Sequence, residues 1–300
     1  MFLYDKRDAN MLMRANDADE KSTCKSAFEL FAFISFIRTI RILASLIMKT
    51  LFIGKYCIKL DKVDSTNSYL TNACAEKNIP EGTVVITEQQ EQGRGQRGTN
   101  WQSEEGKNIT LSILLKPAFL KPEEQFVLSK TISLGVLDFI SSINHQPSTT
   151  NHSKIKWPND IYIGNKKVAG ILIENSVSGN SISHSIIGIG INVNQEKFSA
   201  ELPNPTSLKL ISGKGFDLED CLEKLCSCIE KRYLQLRNHS KEIDSDYLRN
   251  LYLFDELSNY NYENEIIKAK ITGISKIGKL ILEKENGEKL ECDFKEVIFL

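Results

Sequence analysis

Three textures of apolar and polar positions follow one another along this chain. Residues 1–25 are polar without a sustained period. Residues 28–48 then turn strongly apolar, but Arg38 and Arg41 interrupt them, and the uninterrupted part, 27–37, contains Glu29 and falls short of the ~20 residues a membrane helix needs. The order of charges and the lack of a cleavage site also speak against a signal peptide. Residues 1–47 therefore read as a non-native or disordered extension, with the true start at Met48; a weak amphipathic helix is the alternative.

From there the pattern is domain-like. Asp64-Ser65-Thr66-Asn67 supplies N-cap side chains ahead of a run with Tyr69, Leu70, Ala73 and Cys74 on one face, which predicts a short helix ending before Pro80. Thr83–Thr87 is β-branched and reads as a buried strand. Asn108–Leu115 alternates Ile109, Leu111, Ile113 and Leu115 on one face, a second strand. Lys121-Pro122-Glu123-Glu124 opens a helix running to about Ile143, followed by a polar loop over 144–153. Ile155–Trp157 leads into Asp160–Ile163, which a Gly164-Asn165 turn joins to Lys166–Glu174; Ser178-Gly179-Asn180 turns into Ser183–Val193. Helices are expected over 217–238 and roughly 242–252. Beyond Asn259 short alternating strands with a Glu285-Asn286-Gly287 turn predict a small all-β module. The fold expected is α+β: a mixed-sheet catalytic domain over 48–253 and a barrel-like β domain over 254–300.

Lys plus Arg number 38 and Asp plus Glu 39, a net charge of −1. That balance lacks the surplus cation needed to coat a polyanion, so no nucleic-acid partner is expected. The seven cysteines, at 24, 57, 74, 221, 226, 228 and 292, show no framework spacing and read as reduced thiols of a cytoplasmic chain. Global disorder, collagen and a disulfide scaffold are excluded, and no membrane partner is expected.

Three segments carry candidate chemistry. In Glu88–Trp101, EQQEQGRGQRGTNW, glycines alternate with Arg94 and Arg97 between two strands; backbone N–H groups free of Cβ, with two guanidiniums, suit an anion, though a plain surface loop has the same composition. In Lys156–Glu174, KWPNDIYIGNKKVAGILIE, strand alternation puts Lys166 and Lys167 on opposite faces, so at most one is directed inward; two solvated edge lysines are the plainer reading. Gly170 within that strand points to a close approach by a ligand or another backbone. Gly188–Asn194, GIGINVN, is weak alone. Gly273–Lys279 matches seven positions of a P-loop, but Leu280 stands where the Mg²⁺-binding hydroxyl belongs and the flanks alternate as strands. Cys221, Cys226 and Cys228 have no His at zinc-ligand spacing, the four His (145, 152, 184, 239) occur singly, and Tyr69, Phe126 and Tyr233 read as core.

The order DSTN, EQQEQGRGQRGTNW, NITLSILL, KWPND…KKVAG and GIGINVN resembles the biotin protein ligases over roughly residues 55–300. Nothing before residue 50 resembles the DNA-binding domain of the larger members, so the enzyme-only type is expected. The resemblance implies two-step chemistry: biotin and ATP give biotinyl-5′-AMP, with Mg²⁺ accompanying the ATP, and a lysine of a biotin carboxyl carrier protein then takes the biotinyl group. It further implies that Ser65, Thr66, Asn67, Gln90, Arg94, Gly95, Gln96 and Lys167 bind biotin. Gly93, Arg94, Gly95, Trp101 and Asn192 would bind the nucleotide, with Arg94, Lys167 and Asp160 catalytic. A metal ligand set is not assigned, and a homodimer is left open. The family's common run is GRGRxGR; here Gln96 and Thr99 replace two of its arginines, which weakens the expected grip on the adenylate. A lipoate ligase of the same superfamily is the nearest rival, and a non-catalytic biotin- or nucleotide-sensing module a more distant one.

Overall fold

A computed structural model of the chain describes residues 40–42, 48–143, 152–238 and 240–300. Nearly all of the expected N-terminal extension, with Cys24, His145, His239 and most of the expected loop after Ile143, lies outside the described residues, as does the Arg97 side chain. Residues 41–300 form one compact unit.

The larger sheet contains β1 (Ile40–Ile42), β2 (Cys57–Val63), β3 (Val84–Gln90), β4 (Ile109–Leu115), β5 (Ser153–Lys156), β6 (Asp160–Ile163), β7 (Lys166–Ser178) and β8 (Ser181–Ile191), in the order β1-β2-β3-β4-β8-β7-β6-β5. β2 and β3 are parallel, joined through helix α1 (Thr66–Glu76), while the pairs from β3 through β4, β8, β7 and β6 to β5 are antiparallel, so the sheet is mixed. The alternation read in β4 sorts its two faces. Ile109, Leu111 and Ile113 lie in register with Ile191, Ile189 and Ile187 of β8, and these six are at most 2% exposed.

Against the larger sheet lies α2 (Gln125–Ile143), which contacts β5, β6 and β7, and α4 (Leu218–Asn238) and α5 (Ser240–Arg249) in turn pack on α2. A short helix, α3 (Leu208–Ser212), precedes α4. Among the described residues α2, with its preceding turn, is the helix long and apolar enough to cross a membrane; here it is largely buried within the protein. The buried Glu230 carboxylate of α4 accepts backbone N–H bonds from Leu51, Phe52 and Ile53 at 2.6, 2.8 and 2.9 Å, which fastens the segment after Met48 to the core.

The second sheet is wholly antiparallel, β9 (Ser258–Tyr262), β10 (Glu265–Ile274), β11 (Leu280–Lys284), β12 (Lys289–Cys292) and β13 (Val297–Phe299), in the order β12-β11-β10-β9-β13. The P-loop-like run is the hairpin between β10 and β11, closed by Ser275 N to Lys279 O at 2.9 Å, a strand-to-strand turn and not the strand-to-helix turn that cradles phosphate. Gly278, at φ +96, has room there only without a Cβ, which would sit 2.4 Å from the Phe126 ring.

One strand has no counterpart among the expected elements, and one expectation needs correction. Strand β2 was not read from the sequence, since Asp61 and Lys62 cut short the alternation of Ile58 and Leu60. Helix α1 buries Thr66, Asn67 and Leu70, while Tyr69 is only half-buried, because this helix turns polar side chains, not an apolar stripe, toward the sheet.

Candidate active site

Opposite the isoleucines of the core face, Thr110 and Ser112 of β4, Gly188 and Gly190 of β8 and Gly170 of β7 form a patch of small and polar residues. Thr110 pairs with Gly190 and Gly190 with Gly170; Ser112 pairs with Gly188 and Gly188 with Leu172. The indole of Trp101 lies on the glycine floor. A Cβ on Gly190 would come within 2.2 Å of that ring, and one on Gly170 within 3.0 Å. The close approach anticipated at Gly170 is thus a side chain seated in the space that Cβ atoms would fill. Above the floor is a cavity of about 320 Å³.

One wall is the start of α1. Ser65 caps the helix, accepting from Ser68 N at 3.4 Å. Gln90, at the end of β3, accepts from Thr66 N at 3.0 Å and from Thr66 Oγ1 at 3.3 Å. Ser112 Oγ lies within hydrogen-bond distance of both Thr66 Oγ1, at 2.8 Å, and Asn67 Oδ1, at 2.5 Å, and its one hydroxyl proton can go to either. The Asn67 amide nitrogen donates to Glu174 Oε2 at 2.7 Å. Ser65, Thr66, Asn67 and Ser112 are buried, Gln90 and Glu174 partly so, and their bonds to one another fix their orientation before any ligand arrives.

The glycine-arginine segment folds over the cavity as a small hairpin flap. Trp101 N donates to Gly93 O at 2.9 Å, Gly95 N to Thr99 O at 2.6 Å, and Gln96–Gly98 forms a 3-10 turn at the tip with Gly98 at φ +83. The segment is therefore an ordered hairpin. Arg94, with a side chain 45% exposed, donates through Nη2 to Glu174 Oε2 at 2.9 Å. Gln96 donates to Asn159 Oδ1 at 3.2 Å, tying the flap to the loop between β5 and β6. Gly93 is set apart from the other expected nucleotide contacts: it does not line the cavity, and instead forms the flap's neck, where a Cβ would meet Trp101 O at 2.2 Å.

The opposite wall is the β6–β7 hairpin. Lys167 donates to Asp160 Oδ2 at 2.6 Å, and its ammonium stands 5.8 Å from the centre of a Trp101 ring. Lys166 is exposed, as alternation requires. The chain enters this wall through a cis Trp157-Pro158 bond. Lys156, over the rings of Tyr162 and Phe299 at 5.0 and 4.8 Å, is held below its usual pKa by burial; Asp160 opposes that shift and Lys167 adds to it.

Asn192 closes the floor. Its amide donates to Thr206 O at 3.0 Å, but Oδ1 is buried without a protein partner, as is Trp101 Nε1. One spare acceptor and one spare donor at a cavity wall suit a ligand with polar edges. Of the residues singled out from the sequence, Ser65, Thr66, Asn67, Gln90, Arg94, Gly95, Gln96, Trp101, Asp160, Lys167 and Asn192 line this one cavity. Sequence reasoning missed Glu174, visible only as an acid closing an apolar strand arm, and Phe294, which the second sheet brings to the cavity and against Trp157.

A model of the biotin/lipoate A/B protein ligase family matches residues 60–192. Among curated proteins, the chain is 34% identical over 248 residues to a bifunctional ligase/repressor BirA of Bacillus spizizenii, spanning 81% of this chain and 74% of that protein. It is 30% identical over 183 residues to a biotin–[acetyl-CoA-carboxylase] ligase of Mycobacterium tuberculosis, spanning 61% of this chain and 66% of that one. Among solved structures it is similar to the biotin protein ligase from Aquifex aeolicus in complex with biotin and ATP, with 30% identity and a TM-score of 0.66, covering 81% of this chain and 98% of that chain.

Proposed function

The chain belongs to the biotin protein ligases of the biotin/lipoate A/B protein ligase family, and on that premise we propose that it activates biotin with ATP as biotinyl-5′-AMP and transfers the biotinyl group to a lysine of a biotin carboxyl carrier protein. The observation that carries this reading is the meeting of two cations from separate elements, Arg94 of the flap and Lys167 of the hairpin, at one cavity floored by glycines beneath an indole.

In the first step a biotin carboxylate oxygen forms a bond to the α-phosphorus of ATP and the bond to the β-phosphate oxygen breaks, releasing pyrophosphate. The nucleophile is already ionised at neutral pH, so no base is needed. The obstacle is charge: two anions 4 Å apart repel by roughly 4 kcal/mol at an effective dielectric of 20. Lys167, oriented by Asp160, keeps N–H donors free for the carboxylate and phosphate, and Arg94 adds a second fixed charge. The neutral ureido ring of biotin requires paired donors and acceptors, which the wall of Ser65, Thr66, Asn67 and Gln90 supplies. Trp101 and Asn192 take the nucleotide.

Among the described residues no group of three or more acidic, His or Cys side chains could hold a metal ion, and the cavity's acidic lining residue, Asp160, is paired with Lys167. We assign Mg²⁺ to ATP, bound to its phosphates as part of the substrate. In the second step the acceptor amine, with an ordinary pKa of about 10.4, attacks the mixed-anhydride carbonyl and AMP leaves. Asp160 is the group we assign to take the amine's proton.

Purified protein incubated with ATP, Mg²⁺, a biotin carrier domain and either biotin or lipoate tests the reading. One biotinyl mass added to one lysine is expected. Transfer of lipoate instead would make it a lipoate ligase, and biotin binding without acceptor labelling would make it a sensor.

A further inference from the structure

We propose that Glu174 is the positioning residue that joins the flap to the α1 wall and aims Arg94 at the ligand; the inference rests on the adenylate-forming function above. Glu174 lies on β7 two residues past Leu172, on the same face as the glycine floor. A single carboxylate oxygen, Oε2, accepts from both Asn67 Nδ2 and Arg94 Nη2. From there the bonds continue through Asn67 to Ser112, to Thr66 and to Gln90, where the strand feeding the flap ends. The series runs from the flap's arginine, across the proposed biotin wall, back to the flap's own base.

The members of this series differ in freedom. Asn67 is 3% exposed and leans over Gly188, where a Cβ would stand 2.4 Å from its Oδ1. The Arg94 and Glu174 side chains are 45% and 37% exposed. A half-exposed ion pair contributes little to stability, so its consequence is geometric. Glu174 engages Arg94 through Nη2 alone, and a guanidinium carries N–H groups on two further nitrogens. Those remain available to an anion in the cavity. The buried Asn67 fixes the carboxylate, and the carboxylate restricts a flap arginine that would otherwise sample many rotamers.

The test is the rate at which preformed biotinyl adenylate leaves the protein. Glu174→Ala should speed release about tenfold, the scale of one charge-assisted hydrogen bond. Glu174→Gln, whose amide oxygen still accepts from both partners, should stay within about threefold of wild type. In an Arg94→Ala background, Glu174→Ala should change release by less than about twofold, because the two act as a unit. Slower or unchanged release in Glu174→Ala, as expected if the carboxylate competes with the ligand for Arg94, would overturn the proposal. So would effects of the two substitutions that multiply. A second readout needs no ligand: trypsin should cut after Arg94 or Arg97 several times faster in Glu174→Ala than in wild type, and equal cutting would also refute the joint. A wild-type protein that makes no adenylate would refute the proposed function, whereas flap cleavage reads the joint regardless.

Discussion

The two faces of β4, β7 and β8 share one backbone and do opposite work. On the core face Ile109, Ile113, Ile187 and Ile191 are fully buried and belong to the same hydrophobic core as the apolar residues of α2 and α4. On the other face the same strands present Thr110, Ser112, Gly170, Gly188 and Gly190, which leave room for an indole and anchor hydrogen bonds to α1. Glycines within strands sacrifice packing and weaken the sheet. Here that loss creates the cavity floor, and the isoleucines behind it supply the compensating burial. Stability and ligand binding are thereby separated by the pleat of a strand: neighbouring residues in sequence affect different properties.

That separation can be broken one residue at a time. Ile187→Ala should remove about 2–5 kcal/mol of stability, read as a lower urea midpoint, while the surviving folded molecules keep their affinity for biotin. Lys167→Ala should do the reverse: biotin-dependent pyrophosphate–ATP exchange falls by at least about a hundredfold, with the urea midpoint nearly unchanged. Gly190→Ala pushes a methyl into the Trp101 ring. It should weaken ATP binding about tenfold, the effect of an overfilled contact, with a smaller effect on stability than Ile187→Ala.

The helices behind the core face add a pH test. Burial alone would raise the Asp246 carboxyl, but hydrogen bonds from Arg232, at 2.6 Å, and from Arg249 outweigh it and hold the group below its usual range. A lowered carboxyl stabilises the fold above its unfolded pKa of about 3.9, and the contribution disappears as pH falls through the folded value. Asp246→Asn should therefore lower the urea midpoint at pH 7, and the gap to wild type should close in acid. The smallest effect expected is that of Gln96→Ala, which loses one bond to Asn159 and should leave adenylate retention almost intact. Arg94→Ala should weaken biotin and release adenylate faster; equal losses in the two would mean the flap is wrongly read.

Much of this was legible because period and site chemistry coincide in the same short segments. Strand β4 announces itself by alternation, and the flap and the Lys156–Glu174 hairpin, each ambiguous alone, by standing in order with DSTN, NITLSILL and GIGINVN. Legibility failed where a residue's environment comes from distant chain. Helix α1 has apolar side chains at helical spacing, yet buries Thr66 and Asn67 because Gln90, Ser112 and Glu174 await them. Glu174 itself looked like the polar end of a strand. Phe294 reaches the cavity from the second sheet, held there by its ring contact with Trp157 and by the Trp157 Nε1 bond to Gly278 O at 2.9 Å. Neither local period nor spacing encodes such contacts.

In the proposed reaction positive charge, and not shape alone, holds biotin against the nucleotide. Calorimetric titration of wild-type and Lys167→Ala protein with biotin and with its neutral amide tests this most directly. Biotin should lose at least about tenfold in affinity on substitution, the value of one charge-assisted hydrogen bond, while the amide binds both proteins alike. An equal loss for acid and amide would contradict the claim and make Lys167 a shape residue.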